Sequence, residues 1–233
     1  MTGPLRRIAV IPARGGSKRI PRKNIRPFLG TPLIERTVRS VLDSRLFDRV
    51  IVSTDDAEIA EVAADAGAEI PFVRPLDLSD DHGGTRAVIQ HAIEELEQQG
   101  EKLDLVCSIY ATAVFLRTED LVAARDLLVV AGAAFVFSAT TFPFPIQRAV
   151  RRLEGGSVEM FDPQHRHSRS QDLEEAYHDA GQFFWGTRDA WMSETDTFGR
   201  DSRLFILPRW RVQDIDTLED WKRAEIMAQV LDQ

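Results

Sequence analysis

Residues 8–24 read IAVIPARGGSKRIPRKN, and the rest of the chain is organised around them. Ile8, Ala9, Val10 and Ile11 form a short apolar run rich in β-branched residues, the pattern of a buried strand. Pro12 removes a backbone donor and ends it. Gly15-Gly16-Ser17 then supplies a turn where backbone N–H groups approach an anion with no Cβ in the way. Arg14, Lys18, Arg19, Arg22 and Lys23 surround that turn with positive charge. A strand running into a basic, glycine-containing loop is how α/β proteins commonly hold a phosphate.

The charge distribution supports a site there rather than a solvated basic turn. Eight basic residues (Arg6, Arg7, Arg14, Lys18, Arg19, Arg22, Lys23, Arg26) and no acidic one precede Glu35, in a chain with a net charge of −8. A cationic head on an acidic protein fits a small, multiply charged phosphate ligand and argues against nucleic acid, which favours a basic domain. The 233 residues, 43% of them hydrophobic, suffice for one large domain or a domain with an inserted lobe. Cys107 is the single cysteine, so an intramolecular disulfide and a thiolate metal cluster are excluded, and its apolar surroundings predict a buried strand position. No signal peptide and no stretch of transmembrane length is visible; the expectation is a soluble, cytoplasmic protein with no membrane partner.

Downstream, helix and strand patterns alternate. Residues 32–42 have apolar positions at helical spacing, with Thr31 as N-cap and Pro32 in the first turn. Residues 49–54 (RVIVST) read as a second buried strand, 57–66 as an Ala-rich helix stopped by Gly67, and 70–73 as a short strand. A loop over 74–84, an amphipathic helix over 85–99 and a strand over 103–110 follow. This alternation predicts a parallel sheet covered by helices on both faces. From about residue 140 the rhythm changes: apolar runs at 146–150 and 157–161 flank Glu154-Gly155-Gly156 as a β-hairpin, and a polar, aromatic segment leads to a strand at 182–185. Residues 140–186 are read as an inserted dimerisation or substrate lobe within a single domain spanning 1–233. Residues 205–207 resume the sheet, 212–216 (VQDID) end a strand in two carboxylates, and 218–231 form a C-terminal helix.

The head loop lacks both the P-loop ending and a G-x-G-x-x-G fingerprint, which disfavours an NAD enzyme. Its cationic density suits a nucleoside triphosphate held against Arg14, Lys18 and Lys23, charges that also stabilise a leaving pyrophosphate. Asp214 and Asp216 are two apart, so in an extended chain both carboxylates face one hard cation; equally, Asp216 fits as the N-cap of the last helix. Asp55 reads as a further ligand or ribose contact, and Asp55 or Asp56 as a helix cap. The histidines show no zinc spacing. His178-Asp179 is a candidate acid–base pair, and Arg148 and Arg169 are candidate carboxylate clamps, Arg169 alternatively pairing with the acidic cluster at 172–175. Phe183-Phe184-Trp185 reads as core or subunit interface.

The segment IAVIPARGGSKRIPRKNI closely resembles the opening motif of the cytidylyltransferases that activate nine-carbon keto-sugar acids as CMP-sugars. FVRPLDLSDD, SIYATAVFL, FPFPIQRA, RSQDLEEAYHDAGQFFWG and DIDTLEDW extend the resemblance along the chain and are similar to the bacterial pseudaminic acid branch of that family. The resemblance implies a Rossmann-like, three-layer α/β/α nucleotide-diphospho-sugar transferase fold with a dimerisation lobe, hence a homodimer. It implies that Arg14, Gly15, Gly16, Ser17, Lys18, Lys23 and Asn24 hold the CTP phosphates and ribose, with Arg74 and Thr85 near the cytosine. Asp214 and Asp216 would bind Mg²⁺, and the sugar acid would meet Tyr110, Arg169, His178 and Asp179. The sialate enzymes carry Gln-Pro-Thr-Ser-Pro where this chain has Tyr110-Ala111-Thr112-Ala113-Val114, which supports a non-sialate sugar. The pseudaminate pattern usually has proline where Val114 stands, and His82-Gly83-Gly84-Thr85 replaces the usual small-Ser-Ser pattern on the cytosine side.

The reaction this resemblance implies is formation of CMP-pseudaminic acid and pyrophosphate from CTP and pseudaminic acid, by in-line attack of the anomeric hydroxyl on the α-phosphorus. Arg14 and Lys23 would neutralise the leaving group and Mg²⁺ would bridge phosphate oxygens. The alternatives are a legionaminate or N-acetylneuraminate synthetase, or a catalytically silent nucleotide-binding protein.

Overall fold

A computed structural model describes residues 5–79 and 84–231. The chain begins with β1 (Arg7–Pro12), a two-residue hairpin of β2 (Pro27–Phe28) and β3 (Thr31–Pro32), and α1 (Leu33–Asp43). Next come β4 (Arg49–Ser53), α2 (Ala57–Asp65), α3 (Thr85–Gln98), β5 (Leu105–Ile109), α4 (Thr118–Ala131) and β6 (Phe135–Thr141). The hairpin of β7 (Val150–Arg152) and β8 (Val158–Met160) precedes β9 (Tyr177–Thr187), α5 (Arg188–Met192), β10 (Ser202–Ile206) and α6 (Leu218–Leu231).

Six strands form one sheet in the order β10-β6-β9-β5-β1-β4. β1 pairs in parallel with β4 and β5, and β10 with β6, whereas β9 runs antiparallel between β5 and β6. The expected all-parallel sheet is therefore corrected by one inverted strand. Alternation along β1 separates the two faces: Ala9 and Ile11 join a core with α1, α2 and α4, while Ile8 and Val10 pack with α3 and α5. A third cluster seats α6 through Trp221, Ala224 and Ala228 against Ile20, Phe28, Leu33 and Ile215. The three-layer α/β/α architecture expected from the motifs is the observed one.

Several local expectations change. Phe183 and Trp185 are core residues with no exposed surface, and Trp185 Nε1 donates to Leu121 O at 3.1 Å, so this aromatic run builds the domain interior. Thr31 lies in β3 and Pro32 occupies the N-cap of α1, which has no side-chain cap. The strand expected at 70–73 reduces to a single bridge between Ile51 and Glu69. In the hairpin the first strand begins at Val150, after a 3-10 turn at Ile146–Arg148. Residues 212–216 carry no strand and do not join the sheet. Of the stretch 140–186, β9 up to Gly186 and the end of β6 belong to the central sheet, and only residues 142–176 lie off it.

Candidate active site

After β1 the chain moves to β4 on one side and then crosses to β5 on the other. Loops leaving the carboxyl ends of these strands diverge there, which opens a crevice above β1. The head loop forms one wall. Ala13 N donates to Ser53 O at 2.9 Å, and Asn24 Nδ2 donates to Arg14 O at 3.0 Å, so the buried Asn24 ties the two ends of the loop together. Gly15 N donates to Asp55 Oδ1 at 3.0 Å, so this N–H already has an internal anion. A Cβ at Gly15 would lie 2.6 Å from Asp56 Oδ2, so glycine is required here for close packing; at Gly16 a Cβ would meet nothing within 4 Å. Arg22 adopts a left-handed conformation (φ 56°) and its guanidinium pairs with Asp56 and Glu58. Asp56 also caps α2, accepting from Glu58 N and Ile59 N, and the Arg22 hydrogen bond holds its carboxyl below the usual range.

The opposite wall carries the carboxylate pair. Lys23 Nζ donates to Ile215 O at 2.7 Å and approaches Asp216 Oδ1 at 3.4 Å, while Arg19 pairs with Asp216 Oδ2 at 2.8 Å. Asp216 does not cap α6. Thr217 Oγ1 accepts from Asp220 N at 3.2 Å and Asp220 Oδ2 accepts from Thr217 N at 2.8 Å, a reciprocal box that leaves the Asp216 carboxylate to the cleft. Burial, followed by repulsion from Asp216, pushes the Asp214 carboxyl up. One cavity is bounded by Arg14, Ser17, Lys18, Arg19, Lys23 and Asp216; its neighbour is bounded by Thr140, His178, Asp179, Arg209, Asp214 and Asp216. Asp216 belongs to both, so the two cavities adjoin at this carboxylate.

The floor between them is built on a bulge. Phe137 and Ala139 of β6 face Phe184 and Asp179 of β9, so β9 carries extra residues over a two-residue step. Gly181 sits at φ +65° within it, and a Cβ there would be 3.5 Å from Asp214. Ser138 fills the gap, its Oγ accepting from Phe183 N at 3.1 Å and Gln182 N at 3.3 Å. The bulge turns Asp179 toward Tyr110, whose hydroxyl donates to Asp179 Oδ2 at 2.9 Å; Asp179 Oδ1 accepts from Gly181 N at 2.8 Å. Burial pushes both groups up, with the Asp179 charge adding to the effect on Tyr110.

Arg14, Ser17, Lys18, Lys23, Asn24, Tyr110, His178, Asp179, Asp214 and Asp216 thus line these two adjoining cavities. Other expected residues do not. Arg74 is 3% exposed and folds back onto β4, with Nε donating to Ser53 Oγ at 3.1 Å; burial pushes its guanidinium down to about 10. Thr85 is exposed at the start of α3, and His82 and Gly83 lie outside the described residues. Arg169 forms an exposed pair with Asp172 at 2.7 Å, away from the cleft lining, and Arg148 reaches Ser170 Oγ. His178 and Asp179 do not pair through their side chains. His178 Nδ1 lies 2.8 Å from the Asp179 carbonyl, an acceptor only, so Nδ1 carries the proton. Sequence reasoning missed the supporting residues Ser138, Gln182, Asp120 and Arg211. Arg211 is 7% exposed and bidentate to Asp120 at 2.6 and 3.2 Å, and its carbonyl accepts from Gln182 Nε2 at 3.0 Å.

The donor set suits Mg²⁺: Asp214 and Asp216 offer two hard carboxylates, and among the described residues no group of three or more Asp, Glu, His or Cys side chains is placed to hold a metal ion by itself. Magnesium is usually held by one or two carboxylates plus substrate phosphates and water. A cationic loop at the switch point of a mostly parallel sheet, facing a carboxylate pair, defines a nucleotidyltransferase-type α/β domain.

The chain belongs to the cytidylyltransferase family, whose model matches residues 8–206. It is 49% identical to the pseudaminic acid cytidylyltransferase of Campylobacter jejuni subsp. jejuni serotype O:2, over 97% of each chain. It is 35% identical to the N-acylneuraminate cytidylyltransferase of Oncorhynchus mykiss, covering 93% of this chain and 49% of that one. Among solved structures, CMP:2-keto-3-deoxy-manno-octonic acid synthetase complexed with CTP superimposes with a TM-score of 0.68 at 16% identity, covering 96% of this chain and 99% of that one. That likeness establishes the fold.

Proposed function

We propose that the protein is a pseudaminic acid cytidylyltransferase, joining CTP and pseudaminic acid into CMP-pseudaminic acid and pyrophosphate. The observation that carries this reading is Lys23, which reaches from the head loop to Ile215 O and Asp216 and so joins the cationic and anionic walls of one cleft. The full-length similarity to the Campylobacter enzyme supports the choice of sugar. In this reading Arg14, Ser17, Lys18 and Lys23 hold the triphosphate, while Asn24 and Gly15 hold the loop that presents them. The anomeric hydroxyl forms a bond to the α-phosphorus as the bond to the β-phosphate bridging oxygen breaks, and the hydroxyl proton leaves to a base. Arg14 and Lys23 offset charge growing on the pyrophosphate. Asp214 and Asp216 would hold Mg²⁺, which when bound supplies charge neutralisation at the phosphates. Tyr110, His178 and Asp179 would meet the sugar.

The reading extends to assembly. Phe144, Val150, Val158 and Phe161 are exposed on the segment off the sheet, which supports a homodimer built through it; light scattering tests this. Use of CTP supports action in the cytoplasm, which fractionation tests. The reaction itself is tested by pyrophosphate release with CTP and Mg²⁺, offering pseudaminic, legionaminic and N-acetylneuraminic acids side by side. Release with pseudaminic acid alone is expected. Release with another acid alone overturns the substrate, and release with none overturns the activity.

A further inference from the structure

The segment between β10 and the carboxylate pair presents one more cation to the cleft. Leu207 N donates to Ala139 O at 2.7 Å, and its carbonyl accepts from Thr140 Oγ1 at 2.8 Å, which docks the segment on the end of β6. Arg211 closes the following 3-10 turn, Arg209–Arg211, with its buried bidentate pair to Asp120. The Trp210 ring lies 6.0 Å from the Arg117 guanidinium and 5.8 Å from that of Arg211. Arg209 is therefore carried on a turn pinned at both ends, and it lines the cleft beside His178, Asp179 and Asp214. Among the described residues its guanidinium has no hydrogen-bond, ion-pair or ring partner, although Asp179, Asp214, Asp216 and Asp220 line the same cavity. Arg223, the other arginine there, acts on Asp220, adding to the Thr217 and Asp216 hydrogen bonds that, against burial, hold its carboxyl down.

This arrangement matters for an acid whose carboxylate sits on the reacting carbon. A cyclised 2-keto acid bears its carboxylate and its anomeric hydroxyl on one atom, so the carboxylate must come to the reacting end of the cleft, among aspartates that repel it. Only a cation at that end admits it, and a guanidinium offers the planar fork that a carboxylate fits in two hydrogen bonds. We propose that Arg209 is the receptor for the carboxylate of the sugar acid, a role that rests on the nucleotidyl-transfer reading above. Arg209 then fixes the face of the anomeric carbon presented to the nucleotide, and it excludes neutral sugars.

The test compares pseudaminic acid with its methyl ester, using wild type, Arg209→Gln, Arg209→Lys and the surface control Arg200→Gln. Arg209→Gln is expected to raise the KM for the acid about 10- to 100-fold, the weight of a charge-assisted bidentate contact, with the KM for CTP within about twofold. Wild type is expected to prefer acid over ester by a similar factor, Arg209→Gln to lose that preference, and Arg209→Lys to regain part of it. An acid-over-ester preference unchanged in Arg209→Gln overturns the assignment, as does an equal loss toward CTP or in Arg200→Gln. If wild type binds the acid by calorimetry but releases no pyrophosphate, the nucleotidyl-transfer reading falls, and the same acid-versus-ester comparison by calorimetry still decides Arg209. No binding of the acid to wild type overturns both.

Discussion

Replacing Tyr110 by Phe removes one oxygen from the floor of the cleft and leaves its shape intact. The lost hydroxyl donates to Asp179 Oδ2 at 2.9 Å, leaving the carboxylate with its Gly181 N bond at 2.8 Å. Burial and the Asp179 charge push the phenol up, so it stays protonated and remains the donor throughout the neutral range. A hydrogen bond to a charged acceptor contributes about 1.5–3 kcal/mol and one to a neutral acceptor about 1 kcal/mol. Phenylalanine has no hydroxyl to desolvate, which offsets part of the loss, so about 2 kcal/mol at neutral pH is expected. The pH dependence follows from the direction of the Asp179 shift. Its folded carboxyl lies above the unfolded value, so the stability it contributes is present below the unfolded value and lost as pH rises through the raised folded one. The Tyr110 bond favours the ionised form; removing it raises the folded value further and enlarges the loss on the same rise. Urea unfolding of both proteins at about pH 4 and about pH 7 should give a penalty near 1 kcal/mol at the lower pH and near 2 kcal/mol at the higher. A penalty equal at the two pH values, or larger at the lower one, would refute the reasoning.

Asp216→Ala should lower pyrophosphate release at least about 100-fold, the scale of losing one electrostatic stabiliser, and leave the helical circular-dichroism signal unchanged because Thr217 and Asp220 cap α6. Arg211→Met leaves Asp120 buried without its partner and should cost about 3–5 kcal/mol in urea unfolding, most of it recovered in the double variant with Asp120→Leu. Gly15→Ala sets a methyl 2.6 Å from Asp56 Oδ2, on a carboxylate held by Arg22 and, through Oδ1, by the α2 cap, so the loop must move; the KM for CTP should rise about tenfold or more in steady-state assays.

The framework was legible because it is local. The apolar run at Ile8 to Ile11, the helical spacing of α1 and the stop at Gly67 are all written within a few neighbouring residues. The orientation of β9 was not, because a strand buried on both faces reads the same in either direction, and its place between β5 and β6 is set by pairings dozens of residues away. For the same reason residues 70–73 misread: an apolar run is a strand only when a neighbour offers a ladder, and Glu69 alone finds one. In the site, the types of residue were legible and their partners were not. Asp214 and Asp216 stood out by spacing, whereas the choice between cap and cleft rested on Asp220, whose carboxylate takes the Thr217 N–H. Arg74 stood out by its place in a motif, and its buried hydrogen bonds to Ser53 of β4 could not be read from that motif.

The charge asymmetry was read correctly in sign, and the structure changes what it means. Much of the head's positive charge is engaged within the protein: Arg6 with Glu101, Arg22 with Asp56 and Glu58, and Arg19 and Lys23 with Asp216. Lys23 and Asp216 are 193 residues apart in the chain, so the sequence displayed the cations without the anion that faces them. A triphosphate that takes Lys23 therefore exchanges one anion for another and gains only the difference between them. In the proposed reaction a divalent cation draws on Asp216 at the same time. Breaking the Lys23–Asp216 contact serves both ligands, so its cost is met once. Whichever binds first leaves less for the second to overcome, and linkage requires that favour to be mutual.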